Sequence, residues 1–153
     1  MWVSDITYLQ TGEGRVYLAA IMDLYSRQIV GWQVDRRMTS SLVCRALMKA
    51  YNLRTPPSGL VVHTDRGAQY TGHRFQALLS SMGCWDNAVM ERFLGSLKHE
   101  WLLLVPQPTG AGMEQDVATY IRYYNLDRSH AANGDLSPVH YEQMAVKKVS
   151  CLA

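Results

Sequence analysis

A chain of 153 residues is long enough for one domain with its own core, and 48% hydrophobic with 18% charged residues is the balance of a globular protein. A net charge of +2 permits contact with nucleic acid but argues for it only weakly. Cys44, Cys84 and Cys151 are odd in number and far apart, which suggests neither a disulfide framework nor a zinc knuckle and fits a reduced, cytosolic setting. No run approaches the roughly 18 apolar residues of a membrane span, and no charged-then-apolar signal opens the chain.

Trp2 to Tyr8 alternates apolar and polar residues and is rich in β-branched and aromatic types, so it predicts a strand with Val3, Asp5 and Thr7 on one face. Thr11 to Gly14 is a turn. Val16 to Met22 is continuously apolar, as in a strand covered on both sides. Asp23 to Arg27 reads as a second turn and Gln28 to Val34 as a third strand, completing an antiparallel meander. Thr39 caps a helix running to about Tyr51, with Leu42, Ala46 and Leu47 inward. After Pro56-Pro57-Ser58-Gly59 comes a short strand, Leu60 to His63, and then Asp65. Thr71 to Ser81 predicts a helix with Phe75, Leu78 and Leu79 buried.

The next helix is predicted from an Asn87 N-cap to about Leu104. Met90, Leu94, Leu97 and Trp101 form its apolar stripe, and Glu91 and Lys98 share a neighbouring one. Met113, Val117, Tyr120, Ile121 and Tyr124 mark a further amphipathic helix, and Ser137-Pro138 opens a last one. This order describes a sheet with helices on its faces. The strand after the first helix can return parallel to the first strand, which brings Asp65 beside Asp5.

Three carboxylates converging on one spot need cations between them, and magnesium suits such hard oxygen ligands. Two such ions can clamp the attacking and leaving oxygens of a phosphodiester. On the residues alone, Asp5 is equally a strand residue, Asp65 a turn former, and Glu91 and Lys98 part of a solvated helix face.

Several motifs resemble those of insertion-sequence transposases with a retroviral-integrase-type core. They are Trp2 to Tyr8, Asp23-Leu-Tyr-Ser-Arg27 with Ile29-Val-Gly-Trp32, His63 to Tyr70, Trp85 to Phe93 with Ser96-Leu-Lys98, and Tyr124-Asn125, Arg128, His130 and Leu136-Ser-Pro138. The resemblance implies a ribonuclease-H-like α/β fold, a mixed sheet flanked by helices. It also implies an Asp-Asp-Glu site of Asp5, Asp65 and Glu91, holding two Mg2+ or Mn2+ ions, that cleaves DNA and transfers strands in transposition. Lys98 matches a position that contacts DNA near the cut. Asn87, Arg92, Arg66 and Tyr124 are further DNA contacts or else packing and capping residues. Asp23 and Arg27 read as turn residues, and His63, His73, His99 and His130 have no ligand-like spacing.

The expected partners are transposon-end and target DNA, with homo-oligomers or full-length transposase subunits, in a bacterial cytosol. The expected division is a catalytic core over 1–104 and a helical extension packed on it over 105–153.

Two departures from the family pattern are visible. The chain begins almost at Asp5, so the resemblance implies a core without its upstream DNA-recognition part. The segment from Asp65 to Glu91 is also short, which predicts a sheet lacking one edge strand. A helix over Thr71–Ser81 descends about 16 Å, and Met82 to Asp86 can climb back at most about 17 Å. A displaced Glu91 is therefore expected, and with it an alternative function: a catalytically impaired remnant that keeps the fold and binds DNA or intact subunits. A nuclease of the same fold acting on RNA–DNA hybrids fits the Trp85-Asp-Asn-Ala88 and Tyr124-Asn125 motifs less well.

Overall fold

The computed structural model describes residues 1–65, 67–88, 97 and 109–150. Its strands are β1 (Trp2–Thr11), β2 (Gly14–Asp23), β3 (Ile29–Asp35), β4 (Val61–Thr64) and β5 (Trp85–Ala88). Its helices are α1 (Ser40–Arg54), α2 (Ala68–Thr71), α3 (His73–Ser81), α4 (Gly110–Leu126) and α5 (Pro138–Ser150). The five strands lie in the order β3-β2-β1-β4-β5. The first three form the expected antiparallel meander, and β4 and β5 add in parallel.

The turn between β2 and β3 is held locally. The Tyr25 amide donates to Asp23 Oδ1 at 3.0 Å and the Asp23 amide to the Gln28 carbonyl at 2.8 Å. Arg27 sits at φ 62°. Arg27 is thus a turn residue, as read, while Asp23 is the last residue of β2 and closes the turn from its strand end.

The continuous apolar run of β2 is explained by cover on both faces. Ala19 and Ile21, with Trp2, Val30 and Val62, pack under α1 and α3. Leu18, Ala20 and Met22, with Val3 and Leu9, pack under α4 through Met113, Val117, Tyr120, Ile121 and Tyr124. Leu97, from the predicted apolar stripe, is fully buried in this second cluster. On the first face α1 lies unusually close to the sheet. A Cβ at Gly31 would sit 2.4 Å from the Ala46 carbonyl oxygen and 2.7 Å from the Ala50 Cβ, so only glycine fits there.

The C-terminal helices are tied to the meander by polar side chains. Asn125 imitates a neighbouring strand, accepting from the Ile29 amide and donating to the Ile29 carbonyl, both at 2.9 Å. Arg54 at the end of α1 pairs with Glu142 of α5, Nη1 to Oε2 at 2.8 Å. Asn133 Nδ2 donates to the Ser26 carbonyl at 2.7 Å.

One expectation is corrected. The sheet has its edge strand: Trp85 to Ala88 form β5, and Asn87 lies inside that strand and does not cap a helix. Asp and Asn are poor strand formers, so their local preference reads as a turn or cap. The open ladder of β4 supplies backbone partners that override it. Gly83, at φ +65°, makes the reversal after α3, with the Cys84 amide bonded to the Leu79 carbonyl at 2.9 Å. Trp85 then stands opposite Val61 and Ala88 opposite Thr64. The return is therefore made in fully extended chain, and it reaches the residue before Asp65 by Ala88. Glu91 itself, with Arg66, Arg92 and Lys98, lies outside the described residues.

Candidate active site

Strand pairing brings together the segments that carry the two acids. β1 and β4 are parallel with Trp2 opposite Val62 and Val3 opposite His63. Carried two residues on, that register would set Asp65 opposite Asp5, although β4 itself ends at Thr64. Asp5 stands across from Ala20 on its other side, and Ala20 belongs to the α4 face. Asp5 therefore occupies the face of the sheet on which Leu97 is buried, and Asp65 directly follows the last residue of β4. The helix predicted to carry Glu91 thus has its one described residue on the face that needs it.

Each carboxylate is oriented by backbone. Asp5, half-buried, accepts the Ile6 amide on Oδ1 at 2.7 Å. Asp65, exposed at the end of β4, accepts the Gly67 amide on Oδ1 at 2.9 Å, and the Thr64 hydroxyl donates to its carbonyl at 2.9 Å. A carboxylate has two oxygens, so an amide on one fixes the plane in which the other is presented.

The opposite face holds a polar pair that sequence reasoning did not single out. Ser4 and Tyr70, both buried, meet hydroxyl to hydroxyl at 3.0 Å. Burial pushes the Tyr70 phenol up, partly offset by the Ser4 hydrogen bond, and the charges of Asp5 and Asp65 push it further up. One buried ring thus feels both acids. The only sequence signal was the place of Ser4 and Tyr70 inside the two acidic motifs, because their contact spans most of the core segment.

Among the described residues no three His, Cys, Asp or Glu side chains group closely enough to hold an ion. Asp5 and Asp65 supply two of the three expected ligands, and Glu91 lies outside the described residues. The pair is a hard-oxygen donor set, which fits magnesium or manganese and not a soft metal. His63 faces the same side by register with Val3, and its Nδ1 has no hydrogen-bond partner among the described residues. Asn87 lies opposite His63 on β5, so the edge strand passes directly beside the site.

The family described as "Integrase core domain" matches residues 1–85, and a second family of that description matches residues 77–138. The transposase for insertion sequence element IS904 of Lactococcus lactis is 38% identical over 154 residues, covering 94% of this chain and 61% of that protein. Transposase InsF for insertion sequence IS3A of Escherichia coli K12 is 42% identical over 152 residues, covering 92% of this chain and 53% of that protein. The chain thus spans between half and two thirds of the length of these relatives. Among solved structures, the catalytic core domain of HTLV-2 integrase in complex with magnesium superposes with a TM-score of 0.75 at 19% identity, covering 92% of this chain and 93% of that one. The simian T-cell lymphotropic virus intasome gives 0.76 at 20% identity, covering 92% and 52%. At such identities these likenesses speak for the fold, the ribonuclease-H-like arrangement expected from the motifs.

Proposed function

Since this chain belongs to the integrase core family, we propose that it is the catalytic core of an insertion-sequence transposase, which cleaves DNA at element ends and joins them to target DNA. The observation that supports the reading is the parallel pairing of β1 with β4, which sets the strand carrying Asp5 beside the strand that ends one residue before Asp65. We assign Asp5, Asp65 and Glu91 as the ligands of two divalent ions, magnesium or manganese. Bound there, the metal would supply charge neutralisation of the phosphodiester and a nucleophilic oxygen at neutral pH.

The chain's own part is position. Asp5 presents its carboxylate from the middle of the central strand, and Asp65 presents its own from a turn closed by the Gly67 amide. Lys98, Arg66 and Arg92 would hold DNA phosphates, and Asn87 on the edge strand would meet the strand lying over the site. Tyr124, by contrast, is buried against α4's own cluster and stacks edge-on with His130 at 4.6 Å, which makes it a packing residue.

Residues 1–104 would form the core and 105–153 an extension packed on it, an assignment supported by the burial of α4 against the sheet. The partners would be DNA and further copies of the chain or of full-length transposase, in the bacterial cytosol. No described helix is long and apolar enough to cross a membrane.

The test is magnesium-dependent nicking and joining of duplexes carrying the element's ends. Asp65→Asn is expected to drop activity to the level seen in EDTA while leaving the unfolding midpoint near wild type. Wild-type activity in Asp65→Asn would refute the assignment.

A further inference from the structure

An unbroken path of hydrogen bonds links the backbone beside one acid to the carboxylate of the other. It starts at Ser4, the residue before Asp5, whose Oγ meets the Tyr70 hydroxyl at 3.0 Å. The Tyr70 amide donates to the Gly67 carbonyl at 3.0 Å. The Gly67 amide donates to Asp65 Oδ1 at 2.9 Å. Tyr70 is itself held from two further sides. Its ring meets Phe75 edge-on at 5.2 Å, and its carbonyl accepts from Gln76 Nε2 at 2.9 Å.

Packing alone does not call for the hydroxyl. Tyr70 is 0% exposed and Ser4 2% exposed, so a phenyl and a methyl would fill the same space without the cost of burying two polar groups. The strand pairing around the acids also leaves a need for such a tie. The β1–β4 ladder is short and stops at Val3 and His63, two residues before the carboxylates. Beyond that point, bonds through Tyr70 join the β1 backbone beside Asp5 to the turn that carries Asp65.

We propose that Tyr70 is a positioning residue: its hydroxyl, bonded to Ser4 through the sheet, sets the separation of the Asp5 and Asp65 carboxylates. Tyr70 touches neither substrate nor metal and acts through the loop that closes on Asp65. The proposal rests on the reading of Asp5 and Asp65 as metal ligands for its consequence, though not for its geometry.

Two measurements on the full chain test it. Isothermal titration with Mn2+ is expected to show roughly tenfold weaker binding for Tyr70→Phe, the usual scale when an outer-shell partner is lost. Amide hydrogen exchange on the metal-free protein is expected to show faster exchange at Gly67 and Ile6 and no change at Ala19 or Trp32 in β2 and β3. Ser4→Ala should reproduce both effects, and it decides the question should Tyr70→Phe fail to fold. The double variant should be no worse than either single one, since the two changes break one bond. Wild-type Mn2+ affinity and wild-type protection in both single variants would overturn the proposal, as would losses that add. A wild-type chain that binds no Mn2+ would sink the two-carboxylate metal reading instead. The exchange rates at Gly67 and Ile6 would then still decide the role of Tyr70.

Discussion

β1 is paired with β2 along its whole length, from Trp2 opposite Asp23 to Thr11 opposite Gly14, and the meander is covered by α1 on one face and α4 on the other. β4 and β5 are four-residue strands, and β4 meets β1 only at Trp2–Val62 and Val3–His63. Asp5 therefore stands on the best-supported strand of the sheet and Asp65 at the end of one of its least supported. The site straddles a scaffold and an edge. Stability is expected to reside mainly in the first, and the spacing of the acids to depend mainly on the second.

The largest expected effect falls on the scaffold. Gly31→Ala forces a methyl to within 2.4 Å of the Ala46 carbonyl oxygen, and α1 must lift from β3 to admit it. Overpacking against backbone should cost about 3 kcal/mol, read as a fall in the urea midpoint with an unchanged slope. A loss below about 1 kcal/mol would mean that α1 re-seats easily, and the contrast between the two halves would shrink accordingly.

A smaller stability change is expected at the edge, with a larger functional one. Gly83→Ala places a side chain at φ +65°, a conformation that costs roughly 1 kcal/mol outside glycine. The nearby Ser58 hydroxyl, 2.8 Å from the added Cβ, can rotate away. Because Gly83 makes the reversal before β5, a shift there moves Asn87. Magnesium-dependent nicking should fall further than the urea midpoint implies. Equal falls in both would show that edge and scaffold are one cooperative unit.

The same contrast explains what could be read from residues alone. β1, β2 and β3 carry alternating or continuous apolar patterns of β-branched and aromatic residues, a signal that survives without knowledge of the partners. The crossover rule then predicted a parallel return beside β1, and β4 does pair parallel with β1 at Trp2–Val62 and Val3–His63. β5 was illegible for a physical reason. Trp85-Asp-Asn-Ala88 has no strand preference of its own, and its conformation is imposed by β4, which is some twenty residues away in the chain. Ser4 and Tyr70 were invisible as a pair because a side-chain bond across 66 positions leaves no periodic trace. The Arg54–Glu142 pair is hidden for the same reason.

The smallest expected effect sharpens the scaffold side through pH. Burial alone would raise the Asp35 carboxyl, but the hydrogen bonds from the Arg37 amide and the Arg45 side chain, with the Arg45 charge, outweigh it and hold the group below the usual carboxylate range. Arg45 lies on α1 and Asp35 at the end of β3, so this pair closes the joint that Gly31 permits. A carboxylate depressed in the folded state stabilises fully above its unfolded pKa of about 3.9 and loses that contribution as pH falls through the lower, folded value. The Asp35 side chain is 30% exposed and that of Arg45 45% exposed, so solvent screens the pair and keeps the gain small. Asp35→Asn should therefore lower the thermal midpoint slightly at pH 7, and the gap to wild type should close as pH drops below about 4. A gap that persists unchanged to pH 2 would assign the effect of Asp35 to its hydrogen-bonded shape alone. The joint between α1 and the meander would then depend on packing, with no share for charge.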